Sequence, residues 1–187
     1  MNEVTSAEAA RIATRRAVGM AVLWAAMPAE PILDAELADF LQSGVAMHAA
    51  STSGRTPEVT RAAGCRVAPD RGSVTIYVVE SHSEALLAAV RASGAIAVVF
   101  TRPTSHRAVQ LKGTDARVVP PVDADLELIE RQVDIFDAEL ASMRFAPQLG
   151  RTLLGGVRPK MAAITFTPSC AFEQTPGPAA GMALKRA

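Results

Sequence analysis

The chain has 187 residues, of which 49% are hydrophobic and 4% aromatic, and its 19 acidic residues balance 19 basic ones. That length suits one domain with a real core, and zero net charge with few aromatic rings argues against a broad nucleic-acid or acidic-membrane surface. The two cysteines, Cys65 and Cys170, lack the spacing of a zinc site or a disulfide framework, which favours a cytoplasmic protein.

Residues 1–30 are predicted to be an N-terminal arm or an over-long start. Arg15 and Arg16 precede an apolar run at 17–27, a pattern that export signals share. Acidic residues upstream of the arginines and a run too short to span a bilayer weigh against export. Export and packing against the domain stay as alternatives. Residues 31–187 are predicted to form a single domain with a C-terminal tail.

From residue 31 onward, hydrophobic spacing and turn residues predict short helices alternating with strands joined in hairpins. The Pro-Asp-Arg-Gly turn at 69–72 is the clearest hairpin signal. The predicted elements up to residue 119 are a helix at 34–41, strands at 45–50, 59–67 and 74–79, a helix at 83–93, and strands at 95–100 and 106–119.

The second half contains one long amphipathic helix of about five turns, because apolar residues recur at steps of three and four. Asp123 is its predicted N-cap. A short helix at 147–154 and a strand at 160–167 follow, and the Pro- and Gly-rich stretch at 174–181 excludes regular structure. Hairpin-joined strands with separate helices predict an α+β fold with an antiparallel barrel and not a doubly wound sheet.

Two cationic segments predict a local site for an anion, most plausibly a phosphate. One is the hydroxyl-rich turn and strand at 101–113, which carries Arg102, His106, Arg107 and Lys112, and the other is the strand at 60–66. A guanidinium can hold a phosphate or carboxylate through two parallel hydrogen bonds, which an ammonium group cannot do.

Strand alternation selects two arginines from these segments. Arg61 would share its face with Cys65 and other apolar residues, and Arg107 with Val109 and Leu111. An arginine in apolar company is costly unless it meets an anion. Two alternatives stay open for each arginine: an internal acid such as Asp115, or a strand end that reaches water. Cys65 is predicted to be a small core residue, with a reactive thiolate beside Arg61 as the alternative.

The order of these segments resembles a known family. They are Arg61-Ala-Ala-Gly-Cys-Arg66, Val74-Thr-Ile-Tyr-Val-Val79, Ser81-His-Ser83, Ala95-Ile-Ala-Val-Val-Phe100 and His106-Arg-Ala-Val-Gln-Leu-Lys-Gly-Thr-Asp-Ala-Arg117. Together they resemble the pyridoxamine 5′-phosphate oxidase-like family of FMN-binding split barrels over roughly residues 45–119. The ending Phe172-Glu-Gln-Thr-Pro-Gly-Pro178 is similar to that of a bacterial branch of the same family.

The resemblance implies an antiparallel split β-barrel with flanking helices that forms a homodimer and binds FMN at the subunit interface. It places Arg61 and Arg66 on the first phosphate-binding strand, and His82 and Ser83 where members have a Ser-Arg-Lys phosphate grip. The Arg-Lys pair of that grip is absent after Val79. The remaining site residues that the resemblance implies, on the strand lining the isoalloxazine side, are Arg107 and Gln110.

A flavin-dependent oxidoreductase of unspecified substrate is the function that this resemblance implies. Two alternatives from other classes stay open. One is a non-catalytic flavin or haem carrier or sensor, and the other is a cofactor-free split-barrel interaction module. The three histidines lack metal-type spacing, so no metal site is predicted, and no catalytic residue is identified.

Overall fold

The computed structural model describes residues 32–154 and 159–184, and the predictions for the N-terminal arm lie outside the described residues. Helices and strands alternate as the hydrophobic pattern requires. The helices are α1 (Ala35–Leu41), α2 (Glu84–Ser93), α3 (Asp123–Ser142) and α4 (Leu149–Leu153), with a 3-10 turn at Glu80–His82. The strands are β1 (Ala46–Ser51), β2 (Glu58–Val67), β3 (Val74–Val79), β4 (Ile96–Thr101), β5 (Ala108–Gly113), β6 (Arg117–Val119), β7 (Met161–Phe166) and β8 (Cys170–Glu173).

These eight strands form one sheet in the order β6-β7-β3-β2-β1-β4-β5-β8. Every pairing between neighbours is antiparallel. The predicted α+β fold with an antiparallel split-barrel sheet is therefore confirmed, and β6 and β8 are the outermost strands in the described residues. Residues 182–184 pair with the outer side of β8 through hydrogen bonds from the Glu173 N–H to the Met182 carbonyl and from the Leu184 N–H to the Ala171 carbonyl. No helix in the described ranges is long and apolar enough to cross a bilayer.

Two apolar clusters cover opposite faces of the sheet. The larger cluster packs α1 and α2 against one face of the sheet, called the inner face, which carries Met47, Val98 and Leu111. The smaller packs α3 against the opposite face, through residues such as Ile129 and Met161. Because both clusters reach β3, all six residues of that strand are buried. The other end of the opposite face, across β1, β4 and β5, presents partly exposed residues and is called the open face below.

A bulge in β2 changes which side chains share a face. Ala62 pairs with Val78 and Gly64 with Tyr77, so Ala63 is an extra residue in the ladder. Alternation therefore shifts by one, and Cys65 joins Ala62 in the larger core cluster while Arg61 is exposed. The prediction that Arg61 and Cys65 share a face is wrong for this reason.

Three further boundaries differ from the predictions. The single strand predicted at 106–119 is two strands, because β5 pairs with β4 and β8 whereas β6 pairs with β7. The chain leaves β5 at Gly113, where a Cβ atom would stand 2.7 Å from the Phe166 ring. The N-cap of α3 is Val122 and not the predicted Asp123, because the helix already begins at Asp123. β8 was not predicted.

Candidate functional site

A cluster of hydroxyl and cationic groups lies where β2 passes the start of α2. Ser83 is buried, and its Oγ lies 3.0 Å from Thr60 Oγ1. Arg61 and His82 join Thr60 in lining a cavity of about 140 Å³. The structure thus brings together three of the predicted site residues, Arg61, His82 and Ser83, and adds Thr60. These four residues are called the anion cluster.

The chemistry of the anion cluster suits a phosphate-sized anion. Ser83 is the residue before α2, and its side chain makes no capping hydrogen bond to the helix. The backbone N–H groups at a helix start carry partial positive charge and donate hydrogen bonds to anions. Within residues 32–154 and 159–184, no ion pair joins Arg61 to a carboxylate. Its guanidinium is therefore available to a ligand as far as these residues are concerned.

Strand register extends the site from the anion cluster along the open face. Arg61 pairs with His48, His48 with Val99, Val99 with Gln110 and Gln110 with Phe172. Residues paired across neighbouring strands point to the same side of the sheet, so these five form one row. At about 4.8 Å between strands, the backbone of Gln110 lies roughly 14 Å from that of Arg61.

The far end of this row opens into a second cavity, of about 410 Å³. Gln110, Gln174 and His106 contribute polar groups to its wall, and Val99 contributes an apolar surface. Gln174 was not predicted as a site residue, because it lies in the Pro- and Gly-rich tail, whose sequence carries no pattern that points to a binding role. The tail is held in place by hydrogen bonds from the Gln174 N–H to the Ala108 carbonyl and from the Ala108 N–H to Thr175 Oγ1.

Arg66 lies apart from the anion cluster. Its Nε donates to Tyr77 Oη and to Asp125 Oδ1, both at 3.1 Å, and about half of its side chain is exposed. Tyr77 in turn donates to Asp125 Oδ1 at 2.5 Å. Arg66 thus has an internal acid as its partner, although its other guanidinium nitrogens are free of hydrogen bonds to described residues. Its role as a cofactor ligand stays a prediction.

Arg107 has the face that alternation predicted, beside the apolar residues of β5, and its charge has a partner in α1. Its Nη2 lies 3.0 Å from Glu36 Oε1, and its guanidinium stacks 4.5 Å from the centroid of the Phe40 ring. This is the internal-acid alternative, with Glu36 in place of the suggested Asp115. Arg107 lies just before β5 and turns toward Glu36 and Phe40 of α1, whereas Gln110 lies on the open face, so of these two residues a ligand on the open face reaches Gln110.

The turn that precedes β5 is tied to two helices. Arg102 Nη2 donates to Ser43 Oγ at 2.6 Å, just after α1. The backbone N–H and hydroxyl of Thr104 both donate to Glu139 Oε1 of α3. These donors, which the sequence grouped with Arg107 as part of an anion site, instead connect the sheet to α1 and α3.

Cys65 is inaccessible, and burial raises the pKa of its thiol far above the ordinary value, against a smaller opposing effect of the Arg66 charge. The reactive-thiolate alternative therefore has no support in the structure. We expect a thiol reagent to modify exposed Cys170 rapidly in the native protein and Cys65 only after unfolding. Rapid labelling of native Cys170→Ser protein, measured by mass spectrometry, would contradict this expectation.

No known family profile and no curated protein sequence matches the chain. Several solved structures are similar to it. HupZ of Group A Streptococcus is 15% identical over 80% of this chain and 99% of its own, with a TM-score of 0.48. A pyridoxamine 5′-phosphate oxidase-related, FMN-binding protein of Nostoc punctiforme is 11% identical over 82% and 89%, and a putative pyridoxamine 5′-phosphate oxidase of Lactobacillus delbrueckii is 14% identical over 75% and 93%, each with a TM-score of 0.45.

Pyridoxamine 5′-phosphate oxidase-related proteins, the family that the sequence resembles, are thus among the structural neighbours. The shared feature is an α+β split-barrel-like architecture. At these identities and TM-scores the likeness is one of fold alone.

Proposed function

We propose that the protein binds FMN on the open face of its sheet and acts as a flavin-dependent oxidoreductase. One observation carries the proposal: a single row of paired residues connects an anion cluster at Arg61 to an amide-lined cavity at Gln110. A ligand that fits this row has an anionic group at one end, a linker, and a flat polar-edged ring at the other. FMN has these parts in this order.

The residues present fit both ends of that ligand. Arg61 and His82, which line the cavity with Thr60, would hold the phosphate. The buried Ser83 hydroxyl does not line the cavity and supports Thr60 from the α2 side through the contact between their hydroxyls. Gln110 and Gln174 offer amide donors and acceptors for the edge of the isoalloxazine, and Val99 offers it an apolar surface. When bound, the flavin supplies hydride chemistry, whereas the protein binds and orients it. Arg66 and Arg107 stay predicted ligands that this arrangement does not need.

A second copy of the chain is the proposed cover for the open face. Ala97 and Val99 of β4 and Ala50 of β1 are only partly buried, and Val59 of β2 is 62% exposed. A homodimer would bury this apolar surface and enclose the ring end of the row, which a single chain leaves open to water. The proposal thus includes a cytoplasmic homodimer with FMN at the subunit interface.

The test is a titration of purified protein with FMN, followed by flavin fluorescence. The Arg61→Ala protein is expected to bind FMN about 10- to 100-fold more weakly, because hydrogen bonds to a charged group contribute roughly 1.5–3 kcal/mol. Riboflavin, which lacks the phosphate, should bind the variant and the parent protein equally. Arg91→Ala, an exposed arginine in the last turn of α2, is the matched control and should change neither affinity.

If the parent and Arg61→Ala proteins bind FMN with equal affinity, Arg61 does not bind the phosphate and the proposed site is wrong. If FMN and riboflavin bind with the same affinity, the anion cluster does not bind the FMN phosphate. A Soret band in the purified protein would favour the haem carrier instead. A colourless protein that ignores FMN, riboflavin and haem would favour the cofactor-free interaction module.

A further inference from the structure

His48 occupies the second position of the row, between the anion cluster and the ring end. It is paired with Arg61 of β2 on one side and with Val99 of β4 on the other. Directly paired residues of antiparallel strands have Cβ atoms about 5 Å apart, so the imidazole lies beside the Arg61 side chain. Phe136 and Leu154 line a small gap with both His48 and Arg61.

The surroundings of His48 disfavour its protonated form in the ligand-free protein. His48 is exposed, yet the groups around its ring lower its pKa below the ordinary value of 6.5, first by partial desolvation and then by the charge of Arg61. Val99, Phe136 and Leu154, the other residues placed against it, carry no charge. His82, a further titratable group, lines the same cavity as Arg61.

We propose that His48 is a proton-linked positioning residue of the anion cluster, which takes up a proton when an anion binds to Arg61. This inference rests on the anion cluster of the proposed function but not on the identity of the ligand as a flavin. A bound anion cancels the repulsion that Arg61 exerts on an imidazolium and adds an attraction of its own. The imidazolium then places a second positive charge beside the anion, toward the linker side of the row.

The linkage has a defined direction. Anion binding raises the pKa of His48, so by reciprocity protonation of His48 strengthens anion binding. Affinity is highest below the pKa of the ligand-free protein, which is under 6.5, and falls as pH rises through the higher pKa of the complex. Each unit by which the anion raises that pKa corresponds to about a tenfold loss of affinity between the two limits.

The experiment uses sulfate, which stays a dianion across this range, whereas the second ionisation of a phosphate monoester falls near pH 6. Sulfate affinity is measured by calorimetry from pH 5 to 8.5. In parallel, NMR follows the three histidines of protein labelled with ¹³C-histidine, with each resonance assigned by substitution. We expect sulfate to raise the pKa of His48, and its affinity to fall several-fold between pH 5 and 8.5. The slope should shrink in His48→Gln and stay unchanged in the control Arg91→Ala, whose exposed arginine lies in the last turn of α2 outside the anion cluster.

The inference is overturned if His48→Gln keeps the full slope, if only His82→Gln abolishes it, or if the His48 resonance titrates identically with and without sulfate. Absence of any sulfate binding overturns the anion cluster together with this inference. If sulfate affinity depends on pH through His48 but the protein does not bind FMN, the proton linkage is supported and the proposed flavin binding is contradicted. If FMN binding depends on Arg61 but sulfate affinity does not change with pH, the proposed function is supported and the proton linkage is contradicted.

Discussion

Replacing Gln132 by methionine is expected to lower the free energy of unfolding by about 3 kcal/mol. The amide of Gln132 accepts a hydrogen bond from the Cys65 N–H and donates one to the Cys65 carbonyl, each at 2.7 Å, and the residue is buried. Methionine has a similar volume but replaces neither hydrogen bond. Both backbone groups of Cys65 would then be buried without a partner, at roughly 1–3 kcal/mol each.

Chemical denaturation at neutral pH measures this change, and Arg131→Ala is its control. Arg131 is the exposed neighbour of Gln132 on α3, and its truncation should alter stability by less than about 0.5 kcal/mol. If Gln132→Met lowers the free energy of unfolding by less than about 1 kcal/mol, the Gln132 amide does not stabilise the bulged part of β2. The expected large loss would establish that α3 completes the hydrogen bonding of β2 at the point where the strand is irregular.

That irregularity marks where sequence reasoning fails. The helices and the strands β1–β4 and β7 follow from apolar spacing and Gly or Pro turns, because each is a local pattern with a period of its own. A bulge has no such signature. Only the pairing of Ala62 with Val78 and of Gly64 with Tyr77 shows where alternation shifts.

Long-range pairing sets the other limits. The segment predicted as one strand at 106–119 breaks because its two halves pair with different strands, which no local pattern reports. β8 is only four residues long, and it is its pairing with β5 that defines it. Its Phe172 completes the row on the open face, so part of the candidate site was hidden with it.

The anion cluster was partly predictable. Arg61, His82 and Ser83 were named from the sequence, the histidine and serine through the family resemblance, and the structure brings all three to one place with Thr60. The partner of Arg107 was not foreseeable, because Glu36 lies about seventy residues earlier on a helix whose position only the fold defines. Choosing between a ligand and an internal acid required the tertiary structure.

Replacing Asp125 by alanine is expected to lower the free energy of unfolding by about 3 kcal/mol at pH 7. Asp125 is buried at the start of α3 and accepts hydrogen bonds from Tyr77 Oη, Arg66 Nε and the Val122 N–H. Alanine leaves the fully buried hydroxyl of Tyr77 without its acceptor. Arg66 contributes less to the loss, since its half-exposed side chain can turn to water.

The loss is expected to depend on pH in a direction that the surroundings of Asp125 define. Burial alone would raise the pKa of Asp125, but the hydrogen bonds from Tyr77 and Val122 and the charge of Arg66 outweigh it, and the pKa is lowered. A depressed pKa in the folded state stabilises the protein fully above the unfolded value of about 3.9. That contribution is lost as pH falls through the folded value.

Urea unfolding of parent and Asp125→Ala proteins from pH 7 down to 3 measures both effects, with Asp123→Ala as the control. Asp123 is exposed two residues earlier in the same first turn of α3, so its removal should cost no more than about 1 kcal/mol, the contribution of an acid near a helix start. The difference between the parent and Asp125→Ala should narrow as pH drops below about 4. A difference that is constant with pH would mean that the charge of Asp125 is not what connects α3 to Tyr77 and Arg66, and that its hydrogen bonds alone hold the helix on the sheet.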